Sequence, residues 1–215
     1  MRAFRADVVR RVEPGRRGAE RRASQSIVAA VAPFPVLFVC IGNVCRSPYA
    51  EILLRSRLTD LDAADRFDVG SAGVFAEVGR PMHRRMGLRL VEAGASPEGF
   101  VARQFEERMV PPTGLVLTLT RDIRARVLGE VPAALRRTFT LLEFATLAAA
   151  APPGLTPQGL VRDCGDRRSS AALTEYDVAD PIHESDEVVL QVSQVLDAAV
   201  ATVATSLAAT VDQPV

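Results

Sequence analysis

Residues 36 to 51 read Val-Leu-Phe-Val-Cys-Ile-Gly-Asn-Val-Cys-Arg-Ser-Pro-Tyr-Ala-Glu, and the reading of this run decides the fold. Val36 to Cys40 is short, β-branched and aromatic, as a strand buried on both faces would be. A glycine-containing loop follows. Ser47-Pro48 then opens a helical pattern through about Leu58, with the serine expected to cap the free amides and the proline suited to the first turn.

Outward from this run the pattern repeats. Phe67 to Val69 predicts a second strand, ending at Ser71-Ala72-Gly73, and Pro81 to Glu92 a helix stopped by Gly94. Gly114 to Leu119 reads as a fully apolar strand, followed by a helix from Arg121 to Leu128. Thr138 to Leu141 is expected as a fourth strand leading into a helix over Glu143 to Ala150. A stretch from about 151 to 176 has the look of an insert, with a short helix starting at Thr156. A long helical pattern closes the chain from Asp186 to about Ala209. Strands alternating with helices imply an α/β sandwich around a mostly parallel sheet. Ligands of such sheets sit beyond the carboxyl ends of the strands, and the loop after Cys40 lies at that edge.

Cys40-Ile41-Gly42-Asn43-Val44-Cys45-Arg46-Ser47 is cysteine, five residues, arginine, serine, set between a strand and a helix N-terminus. A loop wrapped round a tetrahedral anion turns its backbone N–H groups inward, and the helix start adds partial positive charge. Gly42 is expected to allow the tight turn and the close approach to the ligand. Arg46 offers a planar fork to two phosphate oxygens. The same field favours a thiolate: cysteines at helix N-termini beside cations titrate well below the free value of about 8.5. Cys40 is therefore expected to act as nucleophile through a phosphocysteine, with Ser47 bonded to its sulfur. A nucleotide-binding loop would need Gly-Lys-Ser/Thr, and the chain has no lysine. Zinc would need paired cysteines or histidines, which Cys40-x4-Cys45 and two distant histidines do not supply, so neither metal nor cofactor is expected.

At this point the run Val36 to Glu51 resembles the signature of the low-molecular-weight protein tyrosine phosphatases. The likeness extends through Ser71-Ala72-Gly73, Gly79-Arg80-Pro81, Ala102-Arg103-Gln104 and Asp180-Pro181. It implies a flavodoxin-like, three-layer sandwich of the phosphotyrosine phosphatase I type, with a four-stranded parallel sheet over residues 34 to 210. It implies Cys40 as nucleophile, Arg46 and the amides of residues 41 to 47 as the phosphate cradle, and Asn43 holding the loop's shape with help from Ser71. Ser47 would assist the thiolate, and Cys45 would match a second loop cysteine able to trap an oxidised Cys40 as a reversible disulfide, although a plain packing role is as compatible with it. Asp180 would be the general acid and base. Without the resemblance, Asp163, Asp166, Glu175, Asp177, Glu184 and Asp186 compete for that role, and Asp177 is the runner-up. Cys164 is expected to be inert, His83 to sit on a helix surface, and His183 either to touch substrate or simply to follow the acid loop.

Three departures bear on specificity. Asp180-Pro181 is followed by Ile182-His183 where well-known members carry aromatic residues, and Phe75 is the one aromatic candidate on the facing loop. Position 100 is phenylalanine where relatives often have histidine. The insert at 151 to 176 is expected to reshape one rim of the cleft. Phosphotyrosine proteins or small aryl phosphates are the expected substrates, with a cognate tyrosine kinase as an implied counterpart. The alternatives are a protein arginine phosphatase, whose relatives place threonine where this chain has Val44, and an arsenate reductase resolved by an external thiol.

Composition narrows the class further. A formal net charge of zero supplies no global field for nucleic acid or an anionic membrane. Three cysteines, an odd number, read as a reduced cytoplasmic protein rather than a disulfide framework. No uninterrupted apolar run reaches the ~18 to 20 residues needed to span a bilayer. Residues 1 to 33 read as a basic extension, either a disordered tail or mis-assigned start, or an arm that docks on a partner; the short Ile27 to Ala32 run disfavours export.

Overall fold

The computed structural model describes residues 32–110, 112–170 and 173–211. The expected N-terminal extension falls, but for its last two residues, outside the described residues. Four strands form one parallel sheet in the order β2-β1-β3-β4: β1 Phe34–Cys40, β2 Phe67–Gly73, β3 Leu115–Thr118 and β4 Thr138–Thr140. Six α-helices are described: α1 Arg46–Asp60, α2 Arg84–Glu92, α3 Arg121–Glu130, α4 Leu141–Ala149, α5 Pro157–Asp166 and α6 Asp186–Ala208. This is the flavodoxin-like α/β sandwich.

β1 is central because its residues suit both faces. Val36, Phe38 and Val39 are buried, and the strand pairs along its whole length with β2 (Phe34 opposite Phe67, Cys40 opposite Gly73) and with β3 on the other side. Consecutive strands leave β1 in opposite directions, so the crevice at its carboxyl end is the topological switch point where ligands of such sheets bind. Cys40 is the last residue of the strand, at that crevice.

The helices close the core. Leu53, Leu54 and Leu58 of α1 are buried, and α6 packs on α1, α4 and α2 through Val189, Val192, Leu196, Val200 and Val203. By length and composition α6 could cross a membrane, but that apolar side is buried in this core.

Three departures from the expected boundaries bear on the site. Pro81 to His83 precede α2 rather than belong to it, because the His83 amide donates to the Val44 carbonyl (2.7 Å) and Met82 is buried. His83 is thus tied to the β1–α1 loop instead of riding on a helix surface, and its Nδ1 is buried without a partner. Helix α1 starts at Arg46, one residue before Ser47, so Ser47 is not its cap. In the insert, Thr156 caps α5, whose Leu160, Val161 and Cys164 are buried; α5 packs on α4 and on the turn of residues 132–137 that leads into β4, away from the crevice. The expectation that the insert reshapes the cleft rim therefore fails for its helix, since apolar burial draws it to the other edge of the sheet. Among its described residues the last, Tyr176, comes back to α3 together with the adjoining Asp177.

Candidate active site

The β1–α1 loop is held from outside by its carbonyls. Those of Cys40, Ile41, Gly42 and Val44 accept from the amides of Val74, Phe75, Glu77 and His83 at 2.7–3.0 Å. A planar trans peptide sets each N–H opposite the preceding carbonyl. The amides of Ile41, Gly42, Asn43 and Cys45 consequently face the inside of the loop, and the Asn43 amide donates to Cys40 Sγ there (3.2 Å).

The turn depends on Asn43 rather than Gly42. Asn43 sits at φ 54°, a left-handed conformation that asparagine tolerates better than most residues, whereas Gly42 has no positive φ and a Cβ there would meet only ordinary contacts. Three bonds hold the Asn43 side chain: Nδ2 donates to Ser47 Oγ (2.9 Å) and Ser71 Oγ (2.8 Å), and Oδ1 accepts from the Arg103 amide (2.9 Å). The glycine that close approach requires is Gly73, where a Cβ would lie 2.4 Å from the Ile41 carbonyl oxygen and 2.8 Å from the Asn43 nitrogen. Gly73→Ala is expected to push the loop aside and lower kcat/KM for an aryl phosphate about 10²-fold, with far-UV circular dichroism unchanged.

Helices α3, α4, α5 and α6 each begin on a threonine or serine that accepts from a first-turn amide. Helix α1 has no such cap and no acidic residue in its first turn. The Ser47 hydroxyl, expected there, instead lies 2.8 Å from Cys40 Sγ. The amides that open α1 are thus left to an anion, where the helix dipole favours negative charge.

Arg46, only 3% exposed, donates through NH1 to the Val178 carbonyl (2.9 Å) and through NH2 to the Asp180 carboxylate. Its Nε is buried and has no partner. The acid segment reaches this point because the Val178 amide bonds Leu119 at the end of β3 (2.8 Å). The structure therefore brings Asp180, 134 residues from Arg46, to the mouth of the loop, with its side chain 39% exposed. Asp177 is committed elsewhere: it accepts from the Arg121 amide (2.7 Å) and guanidinium. Partial burial alone would raise its carboxyl, but the Arg121 bonds override this and hold it below the ordinary carboxylate range.

Cys45 and Cys164 are buried free thiols. Burial, with the negative charges of Asp180 and Cys40, pushes Cys45 up to about 12, and burial does the same for Cys164. Both stay protonated at neutral pH. His183 is exposed on the acid segment, close enough to His83 for their charges to interact.

Several supporting residues escaped sequence reasoning. Arg85 of α2 donates to the Glu184 carbonyl (2.6 Å) and to Asp186 (3.2 Å), clamping the chain beyond Asp180. Gln104 holds the 74–76 turn through the Ala76 amide and Val74 carbonyl, both at 3.0 Å. Glu51 receives the Ser71 hydroxyl at 2.5 Å. All of these bonds join segments too far apart in the chain to be seen in the sequence. Phe75 is 61% exposed beside the loop, with the Arg126 guanidinium 4.1 Å from its ring centre.

The family model described as low molecular weight phosphotyrosine protein phosphatase matches residues 35–152. The human low molecular weight phosphotyrosine protein phosphatase is 40% identical over 78 residues, 36% of this chain and 49% of that protein, so the chain spans about half of its length. The protein-arginine-phosphatase of Geobacillus stearothermophilus is 32% identical over 112 residues, 52% of this chain and 72% of that protein. Among solved structures, the YwlE arginine phosphatase from G. stearothermophilus superposes with a TM-score of 0.62 at 26% identity, covering 81% of this chain and 93% of that one. The low molecular weight protein tyrosine phosphatase from T. tengcongensis does so at 0.62 and 26%, covering 79% and 97%.

Proposed function

Because the chain belongs to the low molecular weight phosphotyrosine protein phosphatase family, we propose that it hydrolyses phosphotyrosine-type phosphate monoesters through a phosphocysteine on Cys40, with Asp180 as acid and then base. One observation carries this reading. The Cys40 sulfur, the Arg46 fork and the Asp180 carboxylate converge at a helix N-terminus that no side chain caps.

The steps follow from that geometry. A substrate phosphate enters the loop against the inward amides, and Arg46 Nε with the neighbouring terminal nitrogen takes two of its oxygens along one edge of the guanidinium. Asp180, displaced from Arg46 and protonated from solvent as the phosphate dianion takes its place, delivers that proton to the leaving oxygen as the Cys40 thiolate attacks phosphorus from the opposite side. The alcohol departs and a phosphocysteine remains. Asp180, now ionised, takes a proton from a water molecule whose oxygen attacks phosphorus. The S–P bond breaks and the thiolate leaves into the donors that faced it at the start, the Asn43 amide and the Ser47 hydroxyl.

Phosphotyrosine is favoured over phosphoarginine on two grounds. Val44 is apolar and buried, so it offers no hydroxyl to a guanidinium or its attacking water, and exposed Phe75 can stack on an aryl ring. The arginine phosphatase reading stands second, on the relative matched over 72% of its length. The partners are then phosphotyrosine proteins or small aryl phosphates, with a tyrosine kinase acting in opposition, and the reducing cytoplasm is the compartment that suits three free buried cysteines.

The test is kcat/KM on matched phosphotyrosine and phosphoarginine peptides. The expected result is a clear preference for phosphotyrosine, reduced about 2- to 10-fold by Phe75→Ala, as the loss of one aromatic wall should produce. Faster release from phosphoarginine, with no effect of Phe75→Ala, transfers the assignment to the arginine enzyme.

A further inference from the structure

The amino ends of the strands carry a second cavity, at the edge of the sheet opposite Cys40. Phe34 opens β1, Gly114 precedes β3 and Arg137 precedes β4, and all three line a space of about 270 Å³ that α5 closes with Gln158, Val161 and Arg162. The seven residues of β1, roughly 20 Å at about 3.3 Å each, separate it from Cys40. Ligands of parallel sheets ordinarily take the carboxyl edge, so this cavity is no part of the crevice described above. Its outer wall, α5, lies beyond the stretch that the family model matches.

The wall has two characters. Phe34 and Val161, 5% and 6% exposed, form an apolar floor. Around it stand Arg136, Arg137 and Arg162, and among the described residues no acid lines the cavity with them. The acids of α5 are committed elsewhere: Asp166 accepts from Arg136 (2.5 Å) and Asp163 from Arg167 Nε (2.9 Å). Arg137 and Arg162 have no ion-pair partner among the described residues. Like charges gathered in this way repel one another, and an anion set between them removes that cost. The Ala133 carbonyl takes Arg137 NH1 (2.8 Å), which leaves the Nε–NH2 edge, the shape that grips a carboxylate by two parallel bonds. Two buried polar atoms of the same wall lack a partner, the Arg137 Nε donor and the Gln158 Oε1 acceptor. Folded proteins pair nearly all such atoms, and a ligand with both an acceptor and a donor meets these two after a side-chain rotation.

We propose that this cavity binds a small aromatic carboxylate, with its ring on Phe34 and Val161, its carboxylate between Arg137 and Arg162, and a hydroxyl donating to Gln158 Oε1. Each part of that ligand answers one part of the wall. Inorganic phosphate would satisfy the arginines and leave the floor in water, whereas a neutral ring would leave the arginines without a counter-charge. The volume sets the size: it falls just under the usual range for drug-sized ligands, and so suits one ring rather than a nucleotide or a chain. The site shares no residue with the loop of Cys40, so it stands or falls apart from the phosphatase reading.

The test is calorimetric titration of the full chain with 4-hydroxybenzoate in phosphate buffer, which keeps the anion loop at Cys40 filled. Saturable one-to-one binding is expected, with a Kd of about 1 mM or tighter, the range open to so small a ligand. The amide 4-hydroxybenzamide, of the same shape but uncharged, should bind at least about tenfold more weakly. Arg162 is exposed on α5, so Arg162→Glu should leave the fold intact while it turns an attraction into a repulsion. It is expected to weaken 4-hydroxybenzoate about tenfold or more. Gln158→Leu should cost 4-hydroxybenzoate about three- to tenfold, the effect of one hydrogen bond, and cost benzoate, which has no hydroxyl, nothing. The proposal is overturned by the absence of saturable binding, by equal binding of the acid and its amide, or by binding that Arg162→Glu leaves unchanged. A loss in Gln158→Leu that is as large for benzoate overturns it as well.

Discussion

Cys40→Ser is expected to abolish hydrolysis of p-nitrophenyl phosphate, with a loss on the order of 10⁵-fold or more, the scale seen when a covalent nucleophile is deleted. The donors around the sulfur are arranged for an anion: the Asn43 amide at 3.2 Å and the Ser47 hydroxyl at 2.8 Å. A serine hydroxyl in that place remains protonated at neutral pH, and no general base lies beside it to take its proton, since the Asp180 carboxylate is engaged by Arg46. The loop amides and Arg46 are untouched and the substitution removes a negative charge beside the anion, so inorganic phosphate should bind at least as tightly as before. Stopped-time p-nitrophenol release and calorimetric titration with phosphate separate the two quantities. Residual turnover within 10²-fold of the unmutated chain would place the nucleophile elsewhere.

The second large effect is expected at Asp180. Asp180→Asn cannot deliver a proton to the leaving oxygen or take one from water, and kcat should fall about 10²- to 10⁴-fold, the usual contribution of a placed acid–base group. The loss should grow along a series of aryl phosphates as the leaving phenol becomes more basic, because poor leaving groups depend most on the proton. Asp177→Asn is the control. Its carboxylate is occupied by the Arg121 amide and guanidinium, so its loss should cost less than about tenfold, through slackening of the acid segment rather than through chemistry. If the two variants exchange places, the acid has been misassigned.

What sequence could disclose followed the range of the interactions. The β1–loop–α1 unit was legible because the periodicity of Val36 to Cys40, the spacing of Cys40, Arg46 and Ser47, and the α1 pattern are all local. The four strands and their order of appearance were legible for the same reason. Ser47 carried two expectations, a helix cap and a bond to the Cys40 sulfur; the cap failed because α1 starts before it, while its hydroxyl lies 2.8 Å from that sulfur. Gly42 misled, since the left-handed turn fell to Asn43, whose side-chain bonds to Ser47, Ser71 and Arg103 hold it there. Asp180 stood out among six competing acids through its Asp-Pro context in the resemblance, and the structure supplies what local reading lacked, namely the pinning of Val178 to Leu119 and Arg46. Arg85, Gln104 and Glu51 were missed because each binds a segment remote in the chain, and periodicity carries no record of such partners.

The distance along the chain between nucleophile and acid also orders events in time. During synthesis, Cys40, Arg46 and most of the sheet leave the ribosome well before residue 180, and α6, whose apolar side α1 must cover, comes later still. Domains dominated by such long-range pairings gain their last contacts late. On the proposed reading, a nascent chain therefore carries its nucleophile before the acid that completes the site, and α6 covers α1 only after both have been made.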